Sequence, residues 1–96
     1  MYGLIGKMLA TEGNREALLA TMLEGMTNMP GCLSYVVARD PGDESALWIT
    51  EVWDSQQQHK DSLNLASVQA TIARARPMIA GFGERFETEP VGGLGI

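Results

Sequence analysis

The segment Leu47–Leu63, with the sequence LWITEVWDSQQQHKDSL, constrains the fold most, because its pattern changes from strand to helix without a linker. Side chains alternate between the two faces of a strand. The first half therefore predicts a strand that carries one carboxylate, Glu51, on the same face as large apolar groups. Ser55, followed three residues later by Gln58, fits the capping box that begins a helix. The segment predicts a strand that runs directly into a helix.

The corner between this strand and this helix is the candidate site. Glu51 and Trp53 share one strand face, and His59, the only histidine, follows about one turn inside the helix. We expect these three side chains to meet there. The simpler alternatives are that Glu51 pairs with Arg39 or Arg74, that Trp53 is ordinary core, and that His59 lies on a solvated helix surface.

The remaining patterns predict the order β-α-β-β-α-β, with the second helix interrupted at 64–66. Alternation and β-branched residues indicate the strands, and apolar residues at spacings of three and four indicate the helices. Phe82 and Phe86 are expected on one face of the last strand and the residues just before it. The predicted elements are a strand Tyr2–Ala10, a helix from Asn14 to about Asn28, strands Cys32–Arg39 and Leu47–Trp53, helices from Ser55 to near Pro77, and a strand Glu84–Val91.

Two β-α-β halves of this kind form a ferredoxin-like α+β sandwich, in which a four-stranded antiparallel sheet carries helices on one face. The other sheet face would carry Trp48, Val52, Val36 and either Ile5 or Leu4, depending on the register. An apolar sheet face of that size needs cover. We therefore expect a homodimer in which the sheet faces of two copies pack together about a two-fold axis.

Length and composition indicate one globular domain over residues 1–96, with a core at about 2–91 and a mobile tail at 92–96. The net charge of −5, with scattered Lys and Arg, argues against nucleic acid as a partner. No apolar run approaches the roughly 20 residues of a membrane span, and the N-terminus does not fit a signal peptide. Because the single cysteine, Cys32, cannot form an internal disulfide, a cytoplasmic location is expected.

No motif predicts a metal or a cofactor. One cysteine and one histidine, without a patterned group of carboxylates, do not make a convincing zinc site. There is no Gly-rich phosphate-binding loop for a dinucleotide. We therefore expect the protein to work without metal and without cofactor.

Three stretches, YGLIGKMLATEGNREALLATM, MPGCLSYVVARDPGD and ITEVWDSQQQH, resemble the antibiotic biosynthesis monooxygenase (ABM) family, including its quinol monooxygenase members. The resemblance covers nearly the whole chain, from Tyr2 to Val91. It implies a dimeric α/β barrel, in which two ferredoxin-like sheets pack face to face. It also implies oxidation of aromatic phenols or quinols by molecular oxygen, without metal or flavin, in a pocket between the sheet and the helices.

The resemblance places Trp53 and His59 in that pocket. The cofactor-free oxygenases carry a polar aromatic residue where His59 stands. They carry an asparagine where this chain has Ile49, so a hydrogen-bond donor is missing here. A haem-degrading branch carries a tryptophan and a later histidine where this chain has Ser62 and Ile72. Haem degradation is therefore not expected.

The resulting hypothesis is a cofactor-independent monooxygenase that acts on a small aromatic phenol or quinol. His59 would remove the hydroxyl proton, since histidine changes charge near neutral pH. Glu51 would orient His59, and Trp53 would form the wall on which the substrate stacks. Tyr35 would be an orienting group or plain core, and Arg74 would attract an anionic substrate or lie on a solvated helix face.

Two other functions fit the same residues. A non-catalytic binding or stress-related protein could hold a small molecule in the same pocket. An isomerase- or cyclase-like enzyme could use the base and the aromatic wall for enolisation. The fold alone does not choose among these functions, so the cavity and the position of His59 are the deciding observations.

Overall fold

The computed structural model describes all residues, Met1–Ile96, and shows a ferredoxin-like α+β fold. The strands, numbered β1 to β4, are Tyr2–Ala10, Cys32–Arg39, Ala46–Trp53 and Ile79–Thr88. The helices, numbered α1 to α3, are Arg15–Gly25, Gln56–Ser62 and Ala66–Ala75, and a short 3-10 turn at Arg76–Met78 leads into β4. None of the helices is long and apolar enough to cross a membrane.

The four strands form one antiparallel sheet in the order β2-β3-β1-β4. The helices lie against one face, where Leu18 and Met22 of α1 pack with Leu47 and Ile49 of β3. A smaller buried cluster joins Tyr2, Leu4 and Trp53 near one end of the sheet. The predicted four-stranded ferredoxin-like architecture is confirmed.

The register of β1 decides which side chains lie on the uncovered sheet face. Leu4 pairs with Glu51 and is buried under the helices, whereas Ile5 pairs with Thr50. Ile5 therefore joins Trp48 and Val52 on the open face.

The last strand differs from its prediction. It begins at Ile79, five residues before the predicted Glu84, because the 3-10 turn that contains Pro77 takes the chain directly from α3 into the sheet. Gly6 pairs with Arg85 while Met8 pairs with Phe82, so one residue of β1 between these pairs faces two of β4. Beyond this β-bulge, the side chains of β4 that would have pointed to one face of the sheet point to the other.

The bulge overturns the expectation that Phe82 and Phe86 share a face. Phe82 lies opposite Met8 on the helix side, and Phe86 lies opposite Ile5 on the open side. A pattern of period two cannot reveal one extra residue, because the bulge depends on how β4 pairs with β1.

The helix boundaries agree with their predictions only in part. Helix α1 ends at Gly25, not near Asn28, whose φ of 54° lies in the left-handed region. The side chain of Asn14 accepts no capping hydrogen bond from α1, and its amide N–H donates to Thr11 Oγ1. Ser55 Oγ does accept a hydrogen bond from the backbone N–H of Gln58 at 3.2 Å, as the capping motif predicts.

Candidate functional site

The end of β3 and the first turn of α2 bring Glu51, Trp53 and His59 together. The indole Nε1 of Trp53 donates a hydrogen bond to Glu51 Oε1 at 3.0 Å. His59 Nε2 lies 3.9 Å from the same carboxylate oxygen. The rings of Trp53 and His59 meet edge to face, with centroids 5.4 Å apart and planes at 68°. The strand-to-helix corner therefore holds an imidazole, a carboxyl group and an indole in direct contact.

A second aromatic ring lies close to His59. The centroid of the Tyr2 ring is 5.5 Å from that of His59, and the Tyr2 hydroxyl donates to Glu87 Oε2 at 2.7 Å. Gln56 Nε2 donates to the same oxygen at 3.5 Å. His59 thus has two aromatic neighbours, and a carboxylate accepts a hydrogen bond from each.

Tyr2 and Glu87 were not predicted as site residues. They come from opposite ends of the sequence, and only the pairing of β1 with its two neighbours brings Tyr2 opposite Trp53 and Glu87 opposite Leu4. The one available signal was a hydroxyl-bearing aromatic residue at the start of the first strand.

Burial controls the charge of Glu51. Its side chain is only 13% exposed, and His59 is only 14% exposed. Burial raises the pKa of the Glu51 carboxyl, against the opposing effects of the Trp53 N–H, His59 and Arg85. A carboxyl whose pKa is raised, beside an imidazole, can exchange a proton with it or with a bound hydroxyl.

The pair lines a cavity of about 270 Å³ between the sheet and the helices. Leu63 and Phe82 line it and are exposed, so the cavity opens to solvent beside them. A cavity of about 150 Å³ holds benzene, so this one has room for a substituted ring or two fused rings. Apart from Glu51, His59 and Ser62, the lining is apolar or aromatic: Met8, Met22, Met26, Met29, Tyr35, Ile49, Trp53, Leu63, Val68, Ile72, Ala75, Ile79 and Phe82.

Tyr35 and Ile49 both line this cavity. No hydrogen bond within the chain involves the Tyr35 hydroxyl, which leaves it free to donate to a ligand. Burial raises the pKa of Tyr35 well above its ordinary value, so the hydroxyl keeps its proton. Ile49 supplies an apolar surface and no hydrogen bond.

Arg74 does not belong to this group. Its side chain is exposed on α3 and does not line the cavity, so the predicted contact between Arg74 and a substrate lacks structural support. Neither of the two arginines considered as alternative partners pairs with Glu51. Arg39 pairs with Glu16, and Arg74 forms no ion pair. The arginine whose charge lowers the pKa of Glu51, together with His59, is Arg85 of β4.

The other reactive groups form no metal-binding cluster. No three His, Cys, Asp or Glu side chains lie close enough together to hold a metal ion. Cys32 is partly buried, packs against the cluster of Tyr2, Leu4 and Trp53, and donates weakly to the Ser34 carbonyl at 3.5 Å. Burial raises the pKa of its thiol, which keeps it protonated and unreactive.

The family model described as antibiotic biosynthesis monooxygenase matches residues 1–74. The chain belongs to the antibiotic biosynthesis monooxygenase family. A crystal structure from Chloroflexus aurantiacus J-10-fl, which bears that name provisionally, is 64% identical, with a TM-score of 0.93 over 96% of this chain and 94% of that one. No curated protein matches the chain significantly.

Two more distant ABM structures, with the same provisional name, share the fold. The one from Caulobacter crescentus is 20% identical, with a TM-score of 0.83 over 95% of this chain and 90% of that one. The one from Deinococcus radiodurans is 22% identical, with a TM-score of 0.75 over 100% and 98%. The match to the ABM family model ends at residue 74, before β4 begins at Ile79.

Proposed function

We propose that this ABM protein is a monooxygenase that oxidises a small aromatic phenol or quinol with molecular oxygen, without metal or flavin. The observation that carries the proposal is one imidazole–carboxyl pair, His59 and Glu51, inside an otherwise apolar cavity of about 270 Å³. The cavity suits a flat aromatic molecule, and the pair can accept a hydroxyl proton.

The first step is removal of a proton from the bound hydroxyl. His59 accepts it, and the Glu51 carboxylate, 3.9 Å away, stabilises the resulting imidazolium. The Tyr35 hydroxyl can donate a hydrogen bond to the substrate oxygen and spread its negative charge. The apolar walls exclude water, so the substrate anion has little solvent to stabilise it and donates an electron more readily.

The electron passes to oxygen, and the substrate radical and superoxide combine to form a peroxide at a ring carbon. Cleavage of the O–O bond leaves one oxygen atom on that carbon, and the other departs as water. Two hydrogens of the substrate supply the water, so a hydroquinone and O₂ give a hydroxyquinone and H₂O. No external reductant is required.

The test is oxygen uptake by purified, metal-free protein against a panel of hydroquinones and anthrone-like phenols. His59→Ala removes the base, so we expect uptake to fall by about 10²- to 10⁴-fold. Lys60→Ala is the matched control, because Lys60 is the next residue on α2 and its side chain is exposed. With ¹⁸O₂ the product should gain one labelled oxygen atom.

Each other outcome has a defined meaning. Uptake that is unchanged in His59→Ala would remove His59 from the chemistry. Conversion of a substrate without oxygen uptake would favour the isomerase or cyclase alternative. Tight binding of aromatic molecules without any conversion would favour a non-catalytic binding protein.

A further inference from the structure

A second chamber of about 240 Å³ adjoins the cavity. The two share four lining residues, Met8, Ile49, Glu51 and Phe82, and therefore adjoin each other at these side chains. We call the first cavity the inner chamber. The outer chamber consists of the second space, lined by the shared residues together with Gly6, Lys7, Gly83, Glu84 and Arg85. Only three of its nine lining residues are hydrophobic, against 13 of 16 for the inner chamber.

The floor of the outer chamber is Gly6. It lies in β1 between Ile49 of β3 and Arg85 of β4. A Cβ atom added there would meet no atom within 4 Å, and the φ of Gly6 is not positive. Neither the backbone nor the packing of the chain requires glycine, although glycine in a strand interior lowers stability. A strand glycine often marks a bulge or a close approach by another group, and Gly6 borders the β-bulge between β1 and β4.

Arg85 provides hydrogen-bond donors beside Gly6. Its Nη1 forms an ion pair with Glu87 Oε1 at 3.6 Å, which leaves other N–H groups of the guanidinium available. Glu87 also accepts from the Tyr2 hydroxyl at 2.7 Å. The guanidinium can therefore donate to a ligand in the outer chamber. The carboxylates of Glu51 and Glu84 line the same space, so a multiply charged anion is disfavoured.

We propose that the substrate is a two-part molecule. Its phenol or quinol ring occupies the inner chamber, and an extension that ends in one carboxylate or carbonyl group crosses Gly6 and accepts hydrogen bonds from Arg85. The oxidation of the ring depends on the proposed function. The two-chamber binding depends only on the contact between the chambers, the open space above Gly6 and the remaining donors of Arg85.

The test measures dissociation constants under argon, so that no oxidation occurs. The ligands are hydroquinone, 3-(2,5-dihydroxyphenyl)propanoic acid and its methyl ester, which separate the effects of ring, charge and carbonyl. One hydrogen bond to a charged donor should make an extended ligand bind about tenfold more tightly than hydroquinone. If the acid alone binds more tightly than hydroquinone, the group that Arg85 recognises is a carboxylate. If acid and ester gain equally, the group is a carbonyl.

Gly6→Val fills the floor of the outer chamber. In this variant the extended ligand should bind about as tightly as hydroquinone. Gly81→Val is the matched control, since Gly81 is also a strand glycine with open space around it but lies opposite Leu9, outside the outer chamber. Arg85→Gln should also reduce the gain. Thermal unfolding of each variant checks that it folds.

The inference is overturned if no extended ligand binds more tightly than hydroquinone, or if the tighter binding persists in Gly6→Val. Oxygen uptake with the same compounds separates the two proposals. Binding as expected without uptake would overturn the oxygenase and support the two-chamber site. Uptake with no advantage for the extended compounds would support the oxygenase and overturn the two-chamber site.

Discussion

The chemistry proposed here depends on one imidazole that its neighbours hold in place. Glu51 and Trp53 contact His59 from β3, and the Tyr2 ring contacts it from β1. The Trp53 indole is hydrogen-bonded to Glu51 and the Tyr2 hydroxyl to Glu87. Both rings are thereby fixed, and their packing against the imidazole restricts how it can turn. Such preorganisation lowers the barrier to proton transfer, because the base does not have to reorient.

The raised pKa of Glu51 makes stability depend on pH. The folded chain binds this proton more readily than the unfolded chain does. The free energy of unfolding therefore falls as pH rises from the ordinary glutamate pKa through the raised one. Glu51→Gln keeps an acceptor for the Trp53 N–H and cannot ionise. We expect this variant to gain stability relative to the original chain as pH rises from about 4 to 8, measured by urea unfolding.

Glu24→Gln, which changes an exposed carboxylate on α1, is the control for the change in net charge. Its stability difference from the original chain should vary less with pH. A Glu51→Gln difference that stays constant or shrinks as pH rises would contradict the assigned effect of burial.

Tyr2 should act through His59 without touching the substrate. Tyr2→Phe keeps the ring beside His59 and removes its hydrogen bond to Glu87. We expect kcat for the proposed oxidation to fall by about tenfold with little change in KM, since a misplaced base slows the chemical step. Gln56→Ala, which removes only a 3.5 Å bond to the same carboxylate, should have a smaller effect. Equal effects of the two variants, measured by steady-state oxygen uptake, would argue against a positioning role for Tyr2.

The residues of the site differ in how far the sequence could predict them. Glu51, Trp53 and His59 lie within nine positions of each other, so periodicity and a capping motif place them together. Tyr2 and Arg85 could not be found in this way, because strand register alone brings them to the site. Their register depends on tertiary pairing, which local patterns do not contain.

At the scale of elements, one close contact sets the distance between two helices that form a wall of the inner chamber. Gly25 at the end of α1 faces Thr71 of α3, and a Cβ atom at Gly25 would overlap the Thr71 side chain. Thr71 is 1% exposed, and its hydroxyl donates to the Ser67 carbonyl at 3.0 Å, so it has little freedom to move. The absence of a side chain at Gly25 therefore allows α1 and α3 to pack closely.

Gly25→Ala should destabilise the protein, although alanine ordinarily favours helix more than glycine does. Overpacking of this kind costs about 1–3 kcal/mol, because α3 must move away from α1. Chemical denaturation measures the loss. Gly81→Ala, at a position with open space around it, is the control and should change stability little. A gain in stability for Gly25→Ala would show that the helices can separate at no cost.

The elements were predictable in number and type but not in their ends. Pro77 correctly signalled the end of the helical region, since proline removes a backbone donor. It did not show that β4 begins two residues later. Nor did the sequence show that the glycines around Phe82 lie inside the strand, beside its bulge. Bulges and strand starts depend on the partner strand, so a single-chain pattern cannot locate them.

At the scale of the whole molecule, the sheet is covered on one side only. The smallest dimension of the chain is 19 Å, which fits one layer of helices on one sheet, since such layers lie about 10 Å apart. The open face carries Ile5, Trp48 and Val52, with Val36 and Phe86 each 53% exposed. Apolar side chains on a solvent-exposed sheet face favour association with a second copy.

We expect a homodimer with this face at its centre, because a two-fold axis brings the same apolar patch of each copy together. Light scattering after size exclusion should give twice the chain mass of 10.4 kDa. Phe86→Glu places a charge on this face, where burial without a partner is costly, and should give monomers at micromolar concentration. Leu23→Glu is the matched control, since Leu23 is an exposed apolar residue on α1, on the opposite side of the molecule. A dimer that survives Phe86→Glu and dissociates with Leu23→Glu would place the interface on the helices, and the sheet face would then need another explanation.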